Sequence, residues 1–334
     1  MVKELPEAAY YEMTEDGRAK CSLCPQGCLI AKGKTGICRT RTNEDGRLAL
    51  LNYGEYTSFS LDPIEKKPLY HFYPGSGILS IGGKGCNFTC AFCQNSEISQ
   101  GNPPTRHIMP EELADTVIGR LPSSVGLAYT YNEPFISFEF IRDSAPLIRA
   151  GGGKIVLVTN GYVNPEPLAE LLPLIDAMNI DLKAFDDDFY KRYCGGRIGP
   201  VKETISAAFA AGVHIEVTLL MIPTLNDAEI EMHDYANWLA SMSKDIPLHI
   251  SRYYPCHKLN IPPTPVRTLK RAREIAKEYL NYVYLGNVGD ADAARTDCPS
   301  CGAAVIERQG YSTATPGLAG GRCAKCGAEI AVRI

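Results

Sequence analysis

The sequence predicts an α/β protein with a parallel sheet, flanked by a cysteine-rich N-terminal segment and a metal-binding C-terminal tail. Strand-like and helix-like segments alternate through the middle of the chain, which is typical of a parallel sheet in a barrel or a doubly wound fold. Most of the 13 cysteines fall into three clusters, which favours metal ligation over disulfide bonds. We expect a four-cysteine metal-binding segment at 1–75, the α/β body at 76–289, and a CxxC…CxxC domain, zinc-ribbon or rubredoxin-like, at 290–334.

The α/β body contains seven predicted strands and six predicted helices. Short β-branched and apolar runs predict the strands, and Pro110 marks the start of the first long helix. Parallel sheets carry their functional residues at the carboxyl ends of the strands, so polar residues that follow a strand are candidates for a site. The strands are expected at 78–82, 125–130, 154–159, 177–183, 213–221, 247–252 and 282–285. The helices are expected at 110–121, 135–150, 165–174, 201–211, 227–241 and 266–280.

Composition and charge exclude several classes of protein. Hydrophobic residues make up 45% of the chain and charged residues 22%, which is ordinary for a globular protein and unlike a coiled coil or a disordered chain. The formal net charge of −4 gives no overall electrostatic reason to bind nucleic acid. Apolar runs such as 217–222 are too short to span a membrane, and residues 1–14 are too acidic for a signal peptide. We expect a cytoplasmic protein with neither a membrane nor a nucleic-acid partner.

Three cysteines directly follow the first predicted strand, in the order Cys86, Cys90 and Cys93. A structural zinc site has four protein ligands, whereas three ligands leave one metal position open for a substrate. The spacing therefore favours a reactive metal centre. The alternative is a zinc knuckle that lacks a ligand, with His107 as a distant fourth.

The spacing CxxxCxxC, with Phe92 before the last cysteine, resembles the radical S-adenosylmethionine (SAM) enzymes. Three further segments resemble the radical SAM proteins of the AmmeMemoRadiSam system, which are relatives of the pyruvate formate-lyase activating enzyme. They are Asp-Pro-Ile-Glu-Lys-Lys-Pro-Leu-Tyr-His-Phe at 62–72, Cys-Gln-Asn at 93–95 and Cys-x-x-Cys-Pro at 21–25. The resemblance implies a partial (β/α)6 radical SAM barrel at 76–289. It also implies a [4Fe–4S] cluster on the three cysteines, SAM chelated to the fourth iron, and an electron donor such as flavodoxin or ferredoxin.

The same resemblance implies SAM contacts behind successive strands of the body. The second strand is followed by a segment that resembles the family's Gly-Gly-Glu-Pro stretch, and the fourth ends on an Asp-x-Lys pair. In that pair, Lys183 suits the SAM carboxylate, and Asp181 suits a cationic or hydroxyl group. The residues expected to bind SAM in this way are Asn132, Glu133, Thr159, Asn160, Asp181 and Lys183.

The C-terminal tail carries two CxxCG motifs, whose cysteines are Cys298, Cys301, Cys323 and Cys326. A glycine after each pair allows a tight turn around a metal. This spacing indicates a zinc ribbon or a rubredoxin-like iron site, and we favour zinc. The metal replaces the hydrophobic core that so short a tail lacks.

A second four-cysteine set lies near the N-terminus, at Cys21, Cys24, Cys28 and Cys38. Four thiolates suit either zinc or a second iron–sulfur cluster. The spacing does not choose between them, and structural zinc is slightly preferred.

Three solitary residues are further candidates. A thiol near a substrate radical can donate a hydrogen atom, which makes Cys256 and Cys194 candidate catalytic residues. Most lone cysteines are simply small buried hydrophobic residues. His249, on the sixth predicted strand, is a candidate contact for SAM or substrate.

Taken together, the resemblance implies an enzyme that cleaves SAM reductively to a 5′-deoxyadenosyl radical, which takes a hydrogen atom from a substrate. A small molecule, a peptide or a protein side chain is one class of substrate. The other is a protein glycine, which would make the enzyme a glycyl-radical activase. We favour the first, because a minimal activase needs neither the N-terminal segment nor the tail. A hypothesis of another class is a non-enzymatic zinc-binding adaptor for nucleic acid or protein, with zinc at every site.

Overall fold

The computed structural model describes residues 5–44 and 46–334. Its N-terminal part forms a three-stranded antiparallel sheet and a hairpin; Cys21 ends the second strand of that sheet, and the other three N-terminal cysteines lie in the loops between the strands. The sheet contains β1 (Tyr11–Met13), β2 (Ala19–Cys21) and β3 (Leu29–Ile30), and the hairpin contains β4 (Arg41–Glu44) and β5 (Arg47–Leu50).

A nine-stranded sheet forms the centre of the protein. Its strands are β6 (Glu55–Pro63), β7 (Gly77–Gly83), β8 (Arg106–His107), β9 (Gly126–Tyr129), β10 (Lys154–Thr159), β11 (Ala177–Asp181), β12 (His214–Met221), β13 (Leu248–Arg252) and β14 (Val283–Gly286). Their order is β14-β13-β12-β11-β10-β9-β7-β6-β8. Seven strands, β7 and β9 to β14, are parallel, and β6 pairs antiparallel with both β7 and β8.

This sheet confirms an α/β body with a mostly parallel sheet. It contains the seven parallel strands that the sequence predicts, and the two edge strands, β14 and β8, are not paired with each other. The sheet also extends into the segment before residue 75, because β6 pairs with β7 along most of its length. The residues of β7 are nearly all buried, as expected for a strand covered on both faces.

All six predicted helices are present, and they pack their apolar sides on the sheet. In the last of them, Leu269, Ala272, Ile275 and Ala276 are buried at helical spacing. No helix within residues 5–44 and 46–334 is both long and apolar enough to cross a bilayer. The helices are α1 (Ser96–Ser99), α2 (Pro110–Ile118), α3 (Phe138–Ala150), α4 (Pro165–Leu171), α5 (Asp187–Phe189), α6 (Ile198–Ala210), α7 (Glu229–Met242) and α8 (Val266–Lys277), with a π-helical turn at Tyr190–Cys194. Short 3-10 turns occur at Ile64–Lys66, Pro134–Ser137, Leu172–Leu174 and Ala291–Ala293.

The C-terminal tail forms a small β-structure that we call the ribbon. It has its own buried cluster, in which Val305 and Ile306 pack with Tyr282 and Tyr284 at the start of β14. The ribbon therefore rests on the amino-terminal side of the last parallel strand. Its strands are β15 (Thr296–Asp297), β16 (Ala304–Gln309), β17 (Ser312–Ala314), β18 (Leu318–Ala319) and β19 (Arg322–Cys323).

Candidate active site

The loop at the carboxyl end of β7, which we call the cysteine loop (residues 84–95), carries Cys86, Cys90 and Cys93. It begins with Gly85 at a φ of 85°, a conformation that favours glycine. A Cβ added at Gly85 would lie 2.3 Å from the carbonyl oxygen of Cys38, so only glycine fits there. Cys90 is buried, and Cys86 and Cys93 are half-buried. The loop is therefore packed directly against the N-terminal cysteine segment.

Side chains at the end of β10 fix the first part of the cysteine loop. The Asn160 Nδ2 atom lies 3.7 Å from the Cys86 Sγ atom and donates a hydrogen bond to Asn87 Oδ1 at 2.8 Å. Asn87 Nδ2 donates in turn to the carbonyl of Tyr162 at 2.6 Å. The structure thus brings Asn160 to the first cysteine, where it orients the loop.

The π-helical turn after β11 fixes the middle of the loop. The backbone amides of Thr89 and Ala91 donate to the carbonyls of Cys194 and Tyr193, at 2.9 and 2.8 Å. The pKa of Cys90 is lowered by a hydrogen bond with the Cys194 thiol and by the positive charge of Lys183, although burial opposes the shift. Thiolate character is what a metal-binding cysteine requires.

Glu133 is buried between the ends of β9 and β10. Its Oε1 atom accepts from the amide of Phe135 at 3.0 Å and from the Thr159 hydroxyl at 2.7 Å, and its Oε2 atom accepts from the amide of Asn160 at 2.8 Å. Burial raises the pKa of Glu133 to about 7, against hydrogen bonds that favour the charged form. Glu133 and Thr159 therefore lie at the carboxyl ends of β9 and β10, where their contacts hold the Thr159–Asn160 turn.

Asn132 connects the ends of β7 and β9. Its Oδ1 atom accepts from the amide of Gly83 at 2.9 Å, and its Nδ2 atom donates to the carbonyl of Gly85 at 3.0 Å. The preceding residue, Tyr131, has a positive φ of 71°, and its hydroxyl donates to the buried carboxylate of Asp62. We did not predict the role of Tyr131, because its partner lies 69 residues earlier in the chain.

Lys183 and Asp181 form an ion pair at the carboxyl end of β11, with Nζ 2.8 Å from Oδ2. Although burial opposes protonation, the Asp181 carboxylate and the nearby thiols of Cys90 and Cys194 raise the pKa of Lys183 well above its ordinary value. Lys183 Nζ lies 6.0 Å from the centre of the Phe92 ring in the cysteine loop. A fixed cation beside the three cysteines is suited to hold a carboxylate there.

The three solitary candidates occupy different places. The Cys256 Sγ atom donates to the carbonyl of Phe92 at 3.1 Å, so Cys256 does lie against the cysteine loop. Cys194 is fully buried, and its thiol is hydrogen-bonded with that of Cys90. His249 is the second residue of β13, at the amino-terminal end of the sheet and away from the cysteines, so its position differs from the expected SAM contact.

Glu216 on β12 explains the position of His249. Its two carboxylate oxygens accept from His249 Nε2 at 2.6 Å and His214 Nε2 at 3.1 Å, and from the amides of Tyr70 and His71 at 3.0 and 2.7 Å. Although burial opposes ionisation, hydrogen bonds from the two histidines hold the pKa of Glu216 below its ordinary value. This network ties the 62–72 segment to the base of the sheet. No local signal predicts the role of Glu216, since it lies within an apolar strand.

Comparison with known proteins identifies the family. Residues 80–236 match the family model of the radical SAM superfamily. The chain is also 41% identical over 332 residues to an uncharacterized protein of Methanocaldococcus jannaschii, and the match covers 97% of this chain and 98% of that protein. The chain belongs to the radical SAM superfamily.

More distant relatives of this radical SAM protein have named activities. The pyruvate formate-lyase-activating enzyme of Clostridium pasteurianum is 24% identical over 187 residues, which cover 53% of this chain and 78% of that enzyme. The benzylsuccinate synthase activating enzyme of Thauera aromatica is 25% identical over 133 residues, which cover 40% of each chain.

The cysteine loop fits the iron–sulfur cluster that membership of the superfamily implies. The ligands of a single metal ion lie within about 4.8 Å of one another. Within the described chain, the three sulfur atoms of the cysteine loop do not. The Cys86 Sγ atom accepts from the amide of Phe88 at 3.4 Å, and the Cys93 Sγ atom lies 3.2 Å from the Ser99 hydroxyl, as is common around cluster sulfurs. His107, the fourth ligand of the alternative zinc knuckle, lies on β8, where its Nδ1 atom contacts Glu55 Oε1 at 3.0 Å.

The ribbon cysteines form a different kind of site. The Sγ atoms of Cys298 and Cys326 are 3.6 Å apart, those of Cys301 and Cys323 are 3.7 Å apart, and all four lie within 4.8 Å of one another. A tetrahedral zinc ion with Zn–S bonds of about 2.3 Å separates its sulfur ligands by about 3.8 Å. The four thiols can therefore hold a single metal ion.

Proposed function

We propose that this protein cleaves SAM reductively and uses the product radical to take a hydrogen atom from a small molecule, a peptide or a protein side chain. The three-cysteine loop carries the proposal, because Cys86, Cys90 and Cys93 would bind a [4Fe–4S] cluster and leave one iron for SAM. When bound, the cluster and SAM together supply a one-electron cleavage that gives methionine and a 5′-deoxyadenosyl radical.

The residues around the loop contribute binding and orientation. Lys183, held by Asp181 at 2.8 Å, would pair with the SAM carboxylate. Asn160 and Glu133 keep the turn after β10 against the first cysteine. Because these groups are already hydrogen-bonded, they require little reorganisation when the ligand binds.

Anaerobic reconstitution with iron and sulfide, followed by a 5′-deoxyadenosine assay with dithionite and SAM, tests the proposal. We expect product from the wild type and none from Cys90→Ala. The exposed substitution Glu97→Ala on α1, beside the loop, is the matched control and is expected to retain product. Absence of product from the wild type, or undiminished product from Cys90→Ala, would refute the proposal.

A glycyl-radical activase is the second candidate for the substrate class. Two observations favour it, namely the Asp181–Lys183 pair and the names of the two distant relatives. Electron paramagnetic resonance on a mixture with a candidate glycyl-radical enzyme tests it, since an activase produces a glycyl radical signal that depends on SAM. The two extra cysteine sites of this chain favour the first substrate class.

The non-enzymatic adaptor is separated from both by metal analysis. It predicts zinc without acid-labile sulfide at every site, together with nucleic-acid binding that weakens steeply with salt. The enzyme predicts about four iron atoms and matching sulfide on the cysteine loop of anaerobically purified protein.

A further inference from the structure

The N-terminal cysteines surround a cavity instead of meeting at a point. This small cavity is lined by Cys21, Cys24, Cys28 and Cys38. Cys21 and Cys38 are buried, and the other two are half-buried. The chain thus builds a shared space among four sulfur ligands.

The ribbon shows, in the same protein, how closely four cysteine sulfurs lie in a site for a single metal ion. Its four sulfur atoms lie within 4.8 Å of one another, whereas no three ligand atoms of the N-terminal set do so within the described residues. Around one zinc ion, four sulfurs are about 3.8 Å apart. A cubane cluster binds each cysteine to a different iron, so its ligands stand farther apart. The two four-cysteine sites therefore have different geometries, and only the ribbon site has that of one ion.

Hydrogen-bond donors surround the N-terminal sulfurs. The amide of Ile37 donates to Cys28 Sγ at 3.5 Å, and the Thr40 hydroxyl donates to Cys38 Sγ at 3.3 Å. Arg41, which is 1% exposed, also lines the cavity, and its Nε atom has no hydrogen-bond partner among the described residues. An unsatisfied buried donor needs an acceptor, and the sulfides of a cluster offer more acceptors than a bare ion does.

The cavity adjoins the cysteine loop. Asn87, which follows Cys86, lines the cavity. Gln26, from the segment between Cys24 and Cys28, donates to the carbonyls of Asn87 and Gly195 at 2.8 and 2.7 Å. The backbone at Asn87 therefore lies between the N-terminal cysteines and the cysteines of the loop.

We propose that Cys21, Cys24, Cys28 and Cys38 hold a second [4Fe–4S] cluster, which passes electrons to the cluster on the cysteine loop. A ferredoxin or flavodoxin would be oxidised by one electron and would reduce the N-terminal cluster by one. Transfer of that electron to the loop cluster returns the N-terminal cluster to its oxidised state. The relay rests on the proposed function, whereas the presence of the second cluster does not.

Metal and sulfide analysis of the whole protein tests the site without any substitution. We expect about eight iron atoms, equal acid-labile sulfide and one ribbon metal per chain after anaerobic reconstitution. About four iron atoms with two zinc ions would overturn the proposal. The double variant Cys24→Ala/Cys28→Ala should lose half of the iron and sulfide, and Cys90→Ala should lose the other half. Retention of all the iron in the double variant would refute the assignment of these ligands, and its folding is checked by the ribbon metal, which should remain.

The relay is tested with two reductants. For each protein, the ratio of 5′-deoxyadenosine formed with reduced ferredoxin to that formed with dithionite is measured. Relative to the wild type, this ratio should fall at least tenfold in the double variant, because the dithionite assay corrects for damage to the loop site. An unchanged ratio would overturn the relay. Failure of the proposed function itself gives no product with dithionite in the wild type, which is a different outcome.

Discussion

Arg308, whose side chain is fully buried, joins the ribbon to the 62–72 segment. Its Nη2 atom donates to the carbonyl of Tyr70 at 2.6 Å, and its Nη1 atom donates to the carbonyl of Ala294 and the hydroxyl of Thr296 at 3.0 and 2.9 Å. Its guanidinium lies 4.2 Å from the centre of the Tyr70 ring. The Arg308 Nε atom is 4.0 Å from Glu65 Oε1, and both side chains are at most 1% exposed.

The substitution Arg308→Met keeps most of the side-chain volume and removes the charge and the donors. It leaves a buried carboxylate at Glu65 without its cation, which typically costs about 3–5 kcal/mol. Each lost hydrogen bond from a charged donor accounts for about 1.5–3 kcal/mol, but these losses overlap with the first, so we use the lower figure. At about 3 kcal/mol, the equilibrium constant for opening of the ribbon rises by more than about a hundredfold.

Amide hydrogen exchange of the metal-loaded protein measures this opening directly. The amides of β16 in Arg308→Met should exchange more than about a hundredfold faster than in the wild type. The matched control is Arg322→Met in the same ribbon, because Arg322 is exposed and donates one hydrogen bond, to the carbonyl of Gly327 at 3.1 Å. Its effect should stay within about 0.5 kcal/mol. Similar exchange in the two variants would refute the conclusion that buried contacts hold the ribbon in place.

Three other measurements test the two ends of the sheet. Lys183→Met should weaken SAM binding to the reconstituted protein by about 10- to 100-fold through loss of a charged partner, and an unchanged dissociation constant would contradict that role. Glu216→Gln should lower the free energy of unfolding, measured in urea, by about 1.5–3 kcal/mol. The iron content should stay constant, because the cysteines lie at the opposite end of the sheet. Loss of iron would contradict this separation. Burial lowers the pKa of His71 from 6.5 to about 3, so the unfolded chain takes up a proton first as the pH falls. The stability advantage of the wild type over His71→Asn should therefore shrink by up to about 1.4 kcal/mol per pH unit below pH 6.5, and an advantage that grows would refute the assignment.

Local patterns predicted much of this structure. The six helices and seven parallel strands occur at the expected places, because hydrophobic periodicity is a property of neighbouring residues. The ribbon cysteines also meet as expected, since each CxxCG motif contains its own turn. The cysteine loop follows β7, and Asn132, Glu133, Thr159 and Asn160 lie near it for the same reason, because each lies at or just beyond the carboxyl end of a parallel strand.

The missed features depend on partners that are distant in sequence. The strand β6 joins the sheet through antiparallel pairing with β7, and its sequence carries no sign of which strand it will pair with. His249 was predicted from its strand alone. Its position near the start of β13 places it with Glu216, 33 residues earlier, at the end away from the cysteines. The sequence around His249 does not indicate Glu216 as its partner, and the sequence around Glu216 does not indicate His249.

The two buried glutamates show how the ends of the sheet differ in chemistry. Glu216 has two histidine partners and backbone donors, so its charge is compensated and the network stabilises the attachment of the 62–72 segment. Glu133 accepts three hydrogen bonds but no ion pair with it occurs in the described chain, and its pKa is raised to about 7 by burial beside Cys86. A buried carboxylate without a cation is costly, and such groups concentrate at functional sites. Glu133 lies at the end of the sheet that carries the three cysteines, where the charge of Lys183 opposes the rise of its pKa, and this is the end at which we propose the reaction.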